Sequence, residues 1–118
     1  MNIFGKEKRL LTKNDYDYVF EKAHKVSSSD FLFLYRDNTI GFARLGLALS
    51  KKMIAKAHDR NRLKRLLRET FRIQLDLPAV DLIVLARKGV GTKKSSDLRI
   101  SLEQSWNKLK LTKFVCVE

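Results

Sequence analysis

The chain has 118 residues, 44% of them hydrophobic, which suits one compact domain with one core. Lys and Arg number 25 against 13 Asp and Glu, and a net charge of +12 exceeds what solubility needs, so the partner is expected to be a polyanion: nucleic acid, or an acidic membrane surface. The opening residues hold no apolar run of signal-peptide type, no window reaches transmembrane length, and Cys116 as sole cysteine excludes an intrachain disulfide. With only His24 and His58 beside it, too few soft ligands remain for a zinc site, and a soluble cytoplasmic protein is expected.

Thr12 followed by Asp15 makes an approximate capping box, and Tyr16, Val19 and Phe20 then share one face of a short helix ending near Ala23. Ser27 to Asp30 reads as a loop, and Phe31 to Tyr35, "FLFLY", as a strand. If Phe31 and Phe33 face inward, Leu32 and Leu34 take the other face, and a slip of one residue reverses this. Turn residues at Arg36 to Thr39 precede "IGFARLGLALS", Ile40 to Ser50, which predicts one or two antiparallel strands.

The segment Leu75 to Ala79 carries the only proline, Pro78, and separates a long basic helix from a short buried strand at Val80 to Ala86. A Gly and Lys loop follows. Ser96 is placed to cap a last helix whose Leu98, Leu102, Trp106 and Leu109 recur at three or four residues. Helix, strands, long helix, strand, helix gives a single α+β domain over residues 1–118, a mostly antiparallel sheet packed with helices.

The chemistry concentrates in the basic helix. From Lys51 to Arg72 nine Lys or Arg stand against Asp59 and Glu69. At about 100° per residue, Leu63, Leu66, Leu67, Thr70 and Ile73 gather on one side, while Arg60, Asn61, Lys64, Arg65, Arg68 and Arg72 cover the other. A face built only to stay wet mixes signs; here Arg60, Lys64, Arg68 and Arg72 make a like-charge row whose pairs each cost a few tenths of a kcal/mol, roughly, unless an anion lies across them. Arginine favours phosphate and bases over lipid, and a membrane helix would need its apolar side exposed, which this domain uses for its core. Phosphate contacts alone do not distinguish DNA from RNA. Asn61 among arginines could enter a DNA major groove, but no short-turn helix pair precedes the helix, and structured RNA fits a single basic helix beside an aromatic-lined sheet at least as well.

The run "LALSKKMIAKAHDRNRLKRLLRETFR", Leu47 to Arg72, resembles the signature of the protein subunit of bacterial ribonuclease P, with its paired lysines, Arg-Asn-Arg, Lys-Arg and Arg-Glu. "RLLTKNDYDYVF", Arg9 to Phe20, and "DLIVLARKG", Asp81 to Gly89, are similar to the family's first helix and later strand. The resemblance implies a two-layer α+β sandwich with a left-handed βαβ crossover, an exception to the usual hand. It implies contact with a catalytic RNA through Ser50, Lys51, Lys52, Arg60, Asn61, Arg62, Lys64, Arg65 and Arg68, with Arg72 continuing that face. It also implies a cleft for the 5′ leader of precursor tRNA, with Tyr16 and Phe20 on the helix and Leu32 and Leu34 on the sheet; their alternative role is ordinary core.

Two departures stand out: Met53 and Ile54 replace a glycine that many members carry after the lysines, and Tyr16 stands where many have Phe. His58 is open between an RNA contact and a helix-start role. No catalytic constellation and no metal site is expected in the protein, Mg²⁺ being held by the RNA subunit, and neither membrane nor DNA is an expected partner. The rival readings are a ribosomal or RNA-chaperone protein and a protein-only nuclease.

Overall fold

The computed structural model describes residues 8–10, 12–74 and 77–115, so Cys116, the opening residues 1–7 and Leu75 of the proline segment lie outside the description. Helix α1, Lys13–Glu21, starts on the expected capping box: Thr12 Oγ1 accepts from Asp15 N at 3.2 Å, and Thr12 N donates to Asp15 Oδ2 at 3.2 Å. It ends two residues before Ala23, because the chain turns at once into a strand.

Four strands follow: β1, His24–Ser27; β2, Phe31–Asp37; β3, Arg44–Ala48; and β4, Val80–Ala86, in sheet order β1-β2-β4-β3. β2 runs antiparallel to both β1 and β4, and β3 runs parallel to β4. Two expectations change here. His24–Ser27 was not expected as a strand, and Ile40 to Ser50 yields one strand that is parallel to its neighbour. The reason is the connection: helix α2, Ala57–Arg72, lies between β3 and β4 and carries the chain back to the end from which β3 began. β3, α2 and β4 are the crossover unit.

α2 and α3, Ser95–Val115, cover one sheet face and α1 covers part of the other. Phe31, Phe33 and Tyr35 point to the α2 and α3 side with Leu82 and Val84, while Leu32 and Leu34 point to the α1 side with Leu85 and Ile83. Trp106 is fully buried among them, edge-on to Phe33 at 5.3 Å and to Phe71 at 5.8 Å. Its Nε1–H donates to Thr70 Oγ1 at 3.0 Å, which satisfies the one polar group a buried tryptophan brings.

Leu63, Leu66, Leu67 and Thr70 are buried as their spacing requires, but Ile73 is 48% exposed. It is the C-cap, past the last helical residue, and Phe71 fills the core position instead. Ser96 does not cap α3. The helix begins at Ser95 with Leu98 N bonded to Lys94 O, so Ser96 is already inside the first turn.

One buried ion pair fixes β3 beside β4. Asp81, 2% exposed, accepts from Arg44 Nε at 2.9 Å and Nη2 at 2.7 Å, and from Asn38 Nδ2 at 2.8 Å. The hydrogen bonds that Arg44 donates to Asp81 raise its guanidinium above its ordinary pKa against the cost of burial, with the charges of Asp81 and Asp15 adding to the rise. The buried Asp81 carboxylate is thus met by three hydrogen bonds, as a buried charge requires.

Candidate nucleic-acid interface

The outward side of α2 is formed by Asn61, Arg65, Arg68 and Arg72, all exposed, with Lys64 half-buried along its edge. None of these five hydrogen-bonds or ion-pairs with another described residue, whereas Glu69 on the same helix is taken by Arg99 at 3.3 Å. The expected row Arg60, Lys64, Arg68, Arg72 does not stand intact. Arg60 is half-buried and turns back, its Nη1 donating to Ile54 O at 2.8 Å and Ala55 O at 3.0 Å.

Arg62 is drawn the other way. Its Nη1 donates to Ser95 Oγ at 2.8 Å, and its Nη2 to Gly91 O and Lys93 O, both at 2.9 Å. The two arginines of Arg-Asn-Arg thus fasten α2 to the loop before it and to the start of α3, and Asn61 between them is left facing out. Helical phase alone shows why: at about 100° per residue, positions 60 and 62 fall on opposite flanks of the outward stripe.

Ser50, Lys51 and Lys52 are exposed in the turn that leaves β3. Ser50 O accepts from Ile54 N at 3.0 Å, and Ile54 is buried. A Cβ on Gly91 would stand 3.0 Å from Ile54 Cγ2, so the two residues are fitted to each other. The absence of a glycine after the lysines is answered by this anchor: Met53 points out and Ile54 plugs in. His58, the second residue of α2, is exposed with Nε2 3.2 Å from Asp59 Oδ1.

Across the sheet lies the face on which the leader cleft is expected, with α1 packed on part of it. Phe20 projects from α1, 48% exposed, and Tyr16 is half-buried. Leu32 is half-buried on the sheet floor, but Leu34, on the same face, is covered by α1 and packs with Val19 and Ile83, so it lies under the helix and not in the opening. Leu85 and Ala48 complete the floor; sequence reasoning missed both, and only the pairing of Leu85 with Leu32 and Ala48 brings them there.

Tyr16 does more than present a ring. Its oxygen accepts from Leu47 N at 3.1 Å and its proton is directed to Leu47 O at 3.4 Å, along the outer edge of β3. The ring presses on Gly46, where a Cβ would come within 2.9 Å of Cζ and the hydroxyl oxygen, so the close approach requires glycine there. Tyr18, also missed, holds α1 to the sheet: its hydroxyl donates to Asp37 O at 2.6 Å while Arg36 lies 3.9 Å over its ring.

Among the described residues no group of three or more His, Cys, Asp or Glu is placed to hold a metal ion, and no helix is long and apolar enough to cross a membrane. An α+β domain that presents unpaired guanidinium groups from one helix and an aromatic-flanked apolar floor across its sheet is an RNA-binding protein in its design.

The family model described as Ribonuclease P matches residues 4–110, and the chain belongs to the ribonuclease P protein family. It is 60% identical over 109 residues to the ribonuclease P protein component of Legionella pneumophila, covering 92% of this chain and 95% of that one. With the protein component of Chromohalobacter salexigens it shares 48% identity over 108 residues, 90% of this chain and 84% of the relative. Among solved structures, the RNase P protein of Staphylococcus aureus superposes with a TM-score of 0.80 at 30% identity, over 87% of this chain and 95% of that chain. That of Thermotoga maritima superposes with a TM-score of 0.73 at 30% identity, over 86% and 94%. The chain is thus a protein subunit of ribonuclease P, a tRNA-processing ribonucleoprotein endonuclease.

Proposed function

We propose that this subunit is accessory to a catalytic RNA. The RNA breaks the phosphodiester bond with Mg²⁺ that it holds itself, and the protein binds that RNA and the 5′ leader of precursor tRNA. The observation that carries this reading is the one-sided set Asn61, Lys64, Arg65, Arg68 and Arg72, cations and an amide with no partner among the described residues. Ser50, Lys51 and Lys52 extend it at the start of α2. Such a surface neutralises phosphates that a large RNA must bring together around its substrate, and so lowers the salt and Mg²⁺ the RNA needs.

The leader has a natural place in the cleft, with bases against Phe20 and the ring of Tyr16 over a floor of Leu32 and Leu85. Arg60 and Arg62 serve this surface indirectly, by holding α2 at the angle that presents it. His58 can do either of its two jobs from where it stands.

A Mg²⁺ titration with protein alone, a bacterial ribonuclease P RNA alone, and both together tests the reading. The protein alone should leave precursor tRNA intact, and the mixture should cleave it at lower Mg²⁺ than the RNA alone. Cleavage by RNA-free protein would move the active site into this chain, and an unchanged Mg²⁺ requirement would remove the accessory role.

A further inference from the structure

We propose that the outer edge of β1, together with the recess between it and α3, is a docking site for an extended acidic segment of a partner protein. The surface is apart from the outward side of α2 and from the leader cleft, and it stands whether or not the chain serves a catalytic RNA.

β1 and β3 are the two edges of the sheet. The chain itself closes the edge of β3: Leu10 N donates to Leu45 O at 3.0 Å, and the Tyr16 hydroxyl sits on Leu47 N and O at 3.1 and 3.4 Å. The edge of β1 is open. Ser28 N donates to Phe31 O at 2.9 Å, which fixes the phase of the antiparallel ladder: Val26 and His24 make the hydrogen-bonded pairs with Phe33 and Tyr35, and the N–H and C=O of Lys25 and Ser27 point outward. Both residues are exposed, and among the described residues one side chain reaches these groups, Lys108, whose Nζ lies 3.5 Å from Ser27 O. Outward amides and carbonyls in a row are a template for another extended chain.

The recess beside that edge, about 250 Å³, is lined by the turn after β1 and by Ser101, Gln104, Ser105 and Lys108, which share one side of α3. Its lining is hydroxyl, amide and ammonium, with no carboxylate. Ser105 is committed within the helix, its Oγ donating to Ser101 O at 3.0 Å. The side chains of Ser29, Ser101 and Gln104 have no partner among the described residues, and Lys108 has only its long contact with Ser27 O. Together they offer a carboxylate an ammonium for one oxygen and hydroxyl protons for the other.

Charge and hydrogen bonding select the occupant. A second copy pairing edge to edge would set the exposed Lys25 of each strand near the other and +12 against +12. An RNA strand has no alternating N–H and C=O with which to complete a ladder. An apolar segment would bury unpaired hydroxyls and an ammonium. An extended acidic segment meets every group: its main chain pairs with Lys25 and Ser27, and every second residue turns toward α3, where a carboxylate comes to Lys108 and Ser101.

The test adds a blocked seven-residue peptide of alternating Glu and Thr to the isotope-labelled full chain at constant ionic strength, following the Lys25 and Ser27 amides by nuclear magnetic resonance. Saturable shifts and slowed hydrogen exchange are expected at both, since each N–H enters a ladder bond. The same peptide with Gln for Glu should bind about tenfold more weakly or worse. So should one methylated on alternate amides, which keeps the charge but cannot complete the ladder. Lys108→Gln should weaken binding about threefold, as the loss of an exposed ion pair does, and Arg65→Gln on α2 not at all. Ser27→Pro removes an outward N–H that the sheet does not use and should block docking; melting curves establish that it is folded, and the methylated peptide decides the matter if it is not.

Equal binding of the methylated peptide, or shifts that spread to α2 without saturating, overturn the site in favour of a diffuse effect of the +12 charge. Slowed exchange at Lys25 and Ser27 on raising the protein concentration alone, with a dimer in sedimentation, overturns it in favour of a second copy. The same protection from ribonuclease P RNA, with none from the peptide, overturns it in favour of RNA.

Discussion

α2 and α3 lie side by side on one sheet face, run in the same direction and bury apolar stripes equally well: Leu63 and Leu67 in one, Leu98, Leu102 and Trp106 in the other. Their outer surfaces differ. α3 shows solvent both signs together with apolar residues, Arg99, Ile100, Glu103 and Lys108, and its Arg99 is spent on Glu69. α2 shows Asn61, Arg65, Arg68 and Arg72. Since the two helices meet the same packing demand, the fold does not account for the charge segregation on α2. Its like-charge neighbours at three and four residues carry a repulsion the helix would be more stable without, so that surface reflects a partner.

The sharpest way to break the comparison is to remove what the helices share. Trp106→Ala empties a fully buried site against Phe33 and Phe71 and strips Thr70 of its donor. It should cost about 3–5 kcal/mol, read as a large fall in the urea midpoint, with RNA binding lost because both helices lose their seat. Ile100→Ala, on the exposed side of α3, should stay within about 0.5 kcal/mol of wild type.

The next test separates the two surfaces. Arg65, Arg68 and Arg72 changed together to Ala should lower the slope of log K against log salt for the catalytic RNA by roughly 2–3, at about 0.7–0.9 per phosphate contact. Arg99→Ala with Lys108→Ala on α3 should leave the slope within one contact of wild type. Equal losses from both helices would mean that net charge, and not the face of α2, sets binding.

A smaller effect is expected across the sheet. Phe20→Ala should cost about 1–3 kcal/mol in affinity for precursor tRNA that carries a leader, and little for mature tRNA or for thermal stability, since the ring is already in solvent. Leu34→Ala should do the reverse, costing stability without discriminating between the two RNAs, because α1 covers it. A stability loss from Phe20→Ala as large as that from Leu34→Ala would return Phe20 to the core.

What could be read in the sequence was whatever depends on near neighbours. The bounds of β4, the capping box of α1, and the buried sides of α2 and α3 follow from runs and periods within each element. β1 escaped because "HKVS" has a single buried residue, Val26, and no alternation to display. The parallel setting of β3 depends on where α2 returns the chain, which no local pattern contains. The same limit applies at the site: Arg60 looks like a member of the basic row, and Arg62 like a contact of the signature, and no local pattern shows that the first bonds Ile54 O or that the second bonds Gly91 O and Ser95 Oγ, 29 and 33 residues away.

Arg62 therefore carries the finest distinction, between a cation that touches RNA and one that aims the helix. As a clasp it has three hydrogen bonds at a half-buried junction, two of them to carbonyls that no other described side chain is bonded to. Arg62→Gln keeps some length but loses the fork, and with bonds of this kind netting about 0.5–1.5 kcal/mol each in partly solvated surroundings, thermal stability should drop by about 1–2 kcal/mol. RNA affinity should fall by less than the stability, since α2 is still held by its buried leucines, and the salt slope should not change, because no phosphate contact is lost. Measuring the slope for Arg62→Gln beside Arg65→Gln decides it. A decrease of about one phosphate contact in both, roughly 0.7–0.9, would show that Arg62 leaves its clasp to bind RNA; a decrease for Arg65 alone would establish that Arg62 acts inside the protein while Arg65 acts outside it.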